Sequence, residues 1–138
     1  MSQADQNCTS FPLIRNAEKI RDNTMDTNPR LNPYGLTKSK KWKKVFKTII
    51  FNKIFFTNLH STVETVLPLA QSKGLDIGYY TPSKVFYENL FKHNIKGSFL
   101  IVGHSNTTSQ FVNFLLGEDC HSEIEDNNNS NLYIVQKC

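Results

Sequence analysis

The chain reads as an α/β protein, a doubly wound, mostly parallel sheet flanked by helices. Short apolar runs alternate with amphipathic stretches along nearly the whole sequence, and no internal repeat interrupts them. Two of the apolar runs end abruptly in residues that can hold an anion, Leu13-Ile14 in Arg15-Asn16 and Ile101-Val102 in Gly103-His104-Ser105. In open α/β sheets ligands bind beyond the carboxyl ends of the strands, so two such ends meeting across a crevice would form one site.

Taken in order, residues 11–14 read as a first strand. Pro12 cannot donate to a sheet ladder and is usually confined to edges or strand starts, which moves the expected start to Leu13. Residues 21–33 are rich in Asp, Asn, Thr and Pro, a loop composition, and this loop is expected to fold over the site because it follows Arg15 directly. Asn32-Pro33-Tyr34-Gly35-Leu36 then leads into a lysine-rich helix. Trp42, Val45, Phe46, Ile49 and Ile50 fall at three- and four-residue spacing on one face of it, a pattern of core rather than of a cofactor pocket.

A buried strand is expected at residues 53–57, followed by a helix with Val63, Val66, Leu67 and Ala70 on one face and a proline kink at Pro68. Lys73-Gly74 breaks that helix before a third strand at 76–80. Residues 82–93 read as a helix with Val85, Phe86, Leu90 and Phe91 apolar. Residues 98–102 form the clearest strand. The helix after Ser105 carries Phe111, Val112, Leu115 and Leu116 and stops at Gly117. An Asn-rich polar loop at 118–131 precedes a last strand at 132–135.

At 138 residues the chain fits one domain, assigned to 11–138 with a tail at 1–10. A hydrophobic share of 38% argues against disorder, and no apolar run reaches the ~20 residues a membrane span needs. The start of the chain has neither a basic segment nor an apolar one, so no secretory signal is expected within it. Compartment stays open between the cytoplasm and, were a signal removed upstream, the periplasm or exterior. Cys8, Cys120 and Cys138 are odd in number and lack metal-like spacing, so neither a disulfide framework nor a metal site is expected. Nor is a cofactor.

The net charge of +4 comes largely from Lys38, Lys40, Lys41, Lys43, Lys44 and Lys47, whereas residues 118–126 are acidic. The lysine run is read first as a solvated helix face. As a binding surface it would take nucleic acid or an acidic partner, but there is no base-reading motif and no exposed aromatic platform, so nucleic acid is ranked last.

Leu13-Ile14-Arg15-Asn16-Ala17-Glu18-Lys19, joined to Gly103-His104-Ser105, resembles the histidine phosphatase superfamily, the phosphoglycerate mutase-like fold. The chain has no room for the large cap of bigger members. The resemblance implies a nucleophilic histidine in the first motif, which forms a phosphohistidine, with arginines and a second histidine holding the phosphoryl oxygens. Arg15 and His104 match those roles, while Asn16 occupies the nucleophile's position. An amide nitrogen cannot serve there, because its lone pair is delocalised into the carbonyl. Ser61, in Ser61-Thr62-Val63-Glu64-Thr65, stands where the family usually has a second phosphate-binding arginine, with Arg21 a candidate substitute.

No general acid or base is marked among Glu18, Asp22, Asp26 and Glu88. A lone Asn at the nucleophile would suit a substrate-trapping change, but two departures fit a degenerate member better. The expected function is a domain with little or no phosphatase activity that binds phosphate or a phosphorylated small molecule or protein. The alternatives are a small phosphomonoesterase or phosphohistidine phosphatase with its nucleophile replaced, and a binding module using the lysine-rich helix.

Overall fold

The computed structural model describes residues 9–22, 25–75, 77–81, 83–93, 96–104, 110, 111, 114 and 132–137. Strands β1 (Thr9–Arg15), β2 (Lys53–Phe56), β3 (Ile77–Tyr79), β4 (Gly97–Gly103) and β5 (Leu132–Lys137) form one five-stranded sheet in the order β3-β2-β4-β1-β5. All neighbouring pairs are parallel except β1 with β5. Helices α1 (Pro33–Val45), α2 (His60–Lys73) and α3 (Lys84–His93) alternate with the strands, as the sequence pattern predicts.

β1 opens at Thr9, ahead of both Phe11 and the Leu13 to which Pro12 moves the expected start, and it is buried along its whole length between β4 and β5. Pro12 therefore lies inside a strand with a partner on each side. Its missing N–H is accommodated by the pairing with β4, which runs Thr9–Ser10 against Gly97–Ser98 and resumes at Leu13 against Ile101. Pro12 itself stands opposite Ile134 of β5.

The alternation of side chains across β1 and β4 gives the sheet two apolar faces, and each has its own core. Ile14, Ile54, Phe56, Leu100 and Val102 meet Trp42, Phe46, Val66, Leu69 and Ala70 on the α1/α2 side. Phe11, Leu13, Phe99 and Ile101 meet Tyr80, Tyr87, Leu90 and Phe111 on the α3 side. The buried stripe of α1 runs through Gly35, Ser39 and Trp42 to Phe46. Val45 and Ile50, expected on that stripe, are exposed, because α1 ends at Val45 and the helical period puts Val45 a quarter-turn off the line from Trp42 to Phe46. Leu67 and Val85 likewise face solvent. Val112, Leu115, Leu116, Gly117 and the 118–131 loop lie outside the described residues, as do all three cysteines.

Local chemistry sets the helix ends. Asn32 caps α1 by accepting from the Gly35 N–H at 2.8 Å, and Pro33 follows as its first residue. Gly35 lies so close to the Glu18 carbonyl that a Cβ there would sit 2.2 Å from the oxygen, so only glycine lets α1 start against the first motif. α2 runs through Pro68 to Lys73 and closes on Gly74, which has φ of +60°. No helix among the described residues is long and apolar enough to cross a membrane.

In the α3-side core the Tyr87 hydroxyl is buried without a hydrogen-bond partner, and burial pushes its pKa above the ordinary 10.0. The folded state therefore holds this proton more tightly than the unfolded chain. Its contribution to stability is full below pH ~10 and is lost as the pH rises beyond that. Tyr87→Phe is expected to leave stability at neutral pH unchanged or raised by up to ~1 kcal/mol and to flatten the alkaline decline, both read from denaturant midpoints across pH. A loss above ~1 kcal/mol at neutral pH would mean that the hydroxyl is bonded after all.

Candidate active site

β1 and β4 run in parallel, so their carboxyl ends finish side by side, with Arg15 opposite Gly103. One residue further on, the Asn16 N–H donates to the Gly103 carbonyl at 2.8 Å and carries the pairing past the end of the strand. This brings Asn16 against His104, 88 residues on in sequence, with Arg15 next to Asn16 at the end of β1. Arg15 and Asn16 are each only 1% exposed, and His104 is half-buried. Arg15 heads the fully buried side chains by volume. By strand alternation it shares the sheet face of Phe11 and Leu13.

Asn16 is oriented from both ends of its amide. Its Nδ2 donates to the Ala17 carbonyl at 2.9 Å, which leaves Oδ1 against His104 Nδ1 at 3.3 Å. A flipped amide would set oxygen against oxygen at Ala17, so Nδ1 of His104 carries a proton and donates to Asn16. On the other side of the ring, Nε2 lies 3.0 Å from the Thr57 hydroxyl, which is 3.1 Å from the Thr62 hydroxyl. Thr62 in turn donates to backbone carbonyls of Thr57 and Leu59. This hydroxyl chain serves both states of the ring. When the ring is neutral, Thr57 donates to Nε2; when it is doubly protonated, Nε2 donates to Thr57, which passes its own proton toward Thr62.

α2 closes the site from a third direction. Its buried face begins with Ser61, Thr62 and Thr65, polar residues at positions an apolar stripe would fill, and continues with Val66, Leu69 and Ala70. Thr65 accepts from the Ala17 N–H at 2.9 Å and donates to the Ser61 carbonyl, tying the first motif to the helix. The 21–33 loop docks on the same end of α2. Asn28 accepts from the His60 N–H at 3.0 Å, and Glu64 receives the Leu31 N–H at 3.1 Å and an ion pair from Arg30 at 3.4 Å.

Ser61 is 2% exposed on the first turn of α2, so the position expected to carry a second arginine does face the buried side. Arg21 is exposed and lines a cavity of about 480 Å³ with Glu18, Lys19, Ile20, Asp22, Asn32 and Pro33, whose lining includes neither Asn16 nor His104. Glu18 is committed to Lys38 at 2.6 Å. Asp26 receives the Asn28 N–H, and Asp22 and Glu88 are exposed. No carboxylate joins the Asn16–His104–Thr57 network among the described residues. Thr57 is the residue sequence reading left out of the site. Its only signal is a polar side chain at the carboxyl end of an apolar strand.

No protein-family model matches the chain, and no curated protein matches it in sequence. Solved structures do match it. A candidate α-ribazole-5'-P phosphatase of Escherichia coli superposes with a TM-score of 0.75 at 11% identity, covering 93% of this chain and 90% of its own. A candidate phosphohistidine phosphatase SixA of Agrobacterium tumefaciens gives 0.67 at 18% identity over 80% and 78%. A histidine-to-alanine mutant of Entamoeba histolytica phosphoserine phosphatase, in complex with phosphoserine, gives 0.63 at 15% over 80% and 81%. At these identities the likeness is one of fold. The chain has the phosphoglycerate mutase-like α/β fold, which these phosphatases share.

Replacing Thr65 by Val keeps its shape but strands the buried Ala17 N–H. This is expected to cost ~1–3 kcal/mol in chemical denaturation, with Thr65→Ser close to the parent protein. Equal stability of the Val and Thr proteins would show that the bond is not made.

Proposed function

We propose that this chain is a histidine-phosphatase-like domain that has lost phosphoryl-transfer chemistry and keeps a weakened pocket for phosphate or a phosphomonoester around Arg15, Asn16 and His104. The observation that carries this reading is the amide of Asn16, seated at the joined ends of β1 and β4 and hydrogen-bonded to His104. The amide fills the slot and supplies polarity there, but it offers no lone pair with which to attack phosphorus.

Two further features favour loss of chemistry with retention of binding. Ser61 leaves the α2 side without the fork of donors that an arginine would bring to phosphoryl oxygens. No carboxylate joins the network among the described residues to protonate a leaving group. Against that, Arg15 remains at the end of β1 with a guanidinium fork suited to phosphoryl oxygens. The phosphoserine bound to the mutant amoebic neighbour supports a scaffold of this shape holding a phosphomonoester after losing a histidine.

The second reading is a phosphomonoesterase or phosphohistidine phosphatase whose nucleophile alone has been replaced. The order retained around His104, Thr57, Thr62 and Thr65 favours it.

Hydrolysis of a panel of phosphomonoesters by the parent protein, Asn16→His and the double variant Asn16→His with Ser61→Arg separates the readings. The parent is expected to be silent, the single revertant weak, and the double variant faster than the single by ~10²–10³. Turnover by the parent would overturn the proposal. A single revertant as fast as the double, with a trapped phosphohistidine, would establish the second reading.

A further inference from the structure

The ends of α1 and α2 remote from the candidate site converge on a cleft of about 370 Å³ lined by Lys43, Lys44, Lys47, Ser72 and Lys73. α2 carries Ser61 in its first turn and Thr65 in its second at the site, and at 1.5 Å per residue Lys73 lies about 18 Å beyond Ser61 and about 12 Å beyond Thr65. The cleft is therefore a separate feature at the opposite pole of the same two helices.

Four ammonium groups facing one concavity repel one another unless something compensates them. The ion pairs among the described residues are Arg30–Glu64 and Lys38–Glu18, and neither involves the cleft. The helix ends compensate in part. Lys73 donates to the Lys47 and Ile49 carbonyls at 3.2 and 2.6 Å, so one ammonium is spent on the frayed end of α1. Two helix C-termini contribute about −0.5 charge each, against four positive charges, which leaves a surplus of about +3.

The lining also limits what could neutralise that surplus. Among the described residues the lining is lysine and serine, with no aromatic side chain, and its apolar surface is that of the lysine stems. A nucleobase would find no aromatic side chain to stack on in that lining. Lysines act on phosphate as compact, mobile point charges, suited to a chain of phosphoryl groups rather than to one planar group. We propose that this cleft binds an oligophosphate chain, free or as the phosphate tail of a nucleotide, at a site independent of His104.

The test is titration of the full-length protein with inorganic tripolyphosphate at low salt, followed by backbone amide shifts and calorimetry. Binding is expected to perturb Lys44, Lys47, Ser72 and Lys73, to weaken steeply with salt, and to fall at least about tenfold in the double variant Lys44→Gln with Lys47→Gln. The control pair Lys84→Gln with Lys92→Gln, exposed on α3, should bind as the parent does. ATP binding no tighter than tripolyphosphate would assign recognition to the phosphates. The proposal is overturned by absence of binding at low salt, by equal losses in the two double variants, or by shifts confined to Ala17 and His104. It is equally overturned if oligothymidylate of matching phosphate number binds more tightly than tripolyphosphate.

Discussion

The joint between the carboxyl ends of β1 and β4 is the constraint on which the rest of the site depends. Backbone and side chain of one residue make it, since Asn16 continues the ladder onto Gly103 and meets the His104 ring with its amide. Parallel pairing makes this possible, because the two strands finish at the same edge and present their next residues to the same space. From there the contacts spread outward, through Thr57 and Thr62 to the start of α2 and through Ala17 to Thr65. Each link is between groups largely withdrawn from water, where an unmade hydrogen bond costs more than a made one contributes.

That arrangement separates what the scaffold does from what a phosphotransferase must do. Orientation of His104, burial of Arg15 and polar lining by the first turn of α2 are made by the strand ends and the helix, with Asn at position 16. Nucleophilic attack is a property of one atom, and the amide nitrogen of Asn16 does not supply it. The proposed function follows from that separation, a phosphate pocket kept without phosphoryl-transfer chemistry. Solved phosphatases share the architecture at 11–18% identity, which shows how far sequence can diverge within this fold.

The alternation of strands and helices was legible because both periodicities are strong, and the contact of Asn16 with His104 followed from their places just past two strand ends. Pro12 was misjudged because its lost donor was weighed without the ability of a buried strand to skip pairing for two residues. Val45 and Ile50 were placed on the core stripe by spacing alone, which does not reveal where α1 ends. Thr57 escaped notice because a hydroxyl at the end of a strand looks like ordinary loop polarity until a ring nitrogen is set 3.0 Å from it. The anchoring of the 21–33 loop on Glu64 and the His60 N–H needed the approach of α2, which no local pattern encodes.

The protonation of the His104 ring, followed by nitrogen NMR during titration with inorganic phosphate, tests the central claim most directly. The account requires a proton on Nδ1 in the free protein, held by Asn16 Oδ1, and a shift of both ring nitrogens as phosphate reaches the site at millimolar concentration. A free protein with Nδ1 unprotonated would contradict the Asn16–His104 bond. A ring indifferent to phosphate would contradict the retained pocket.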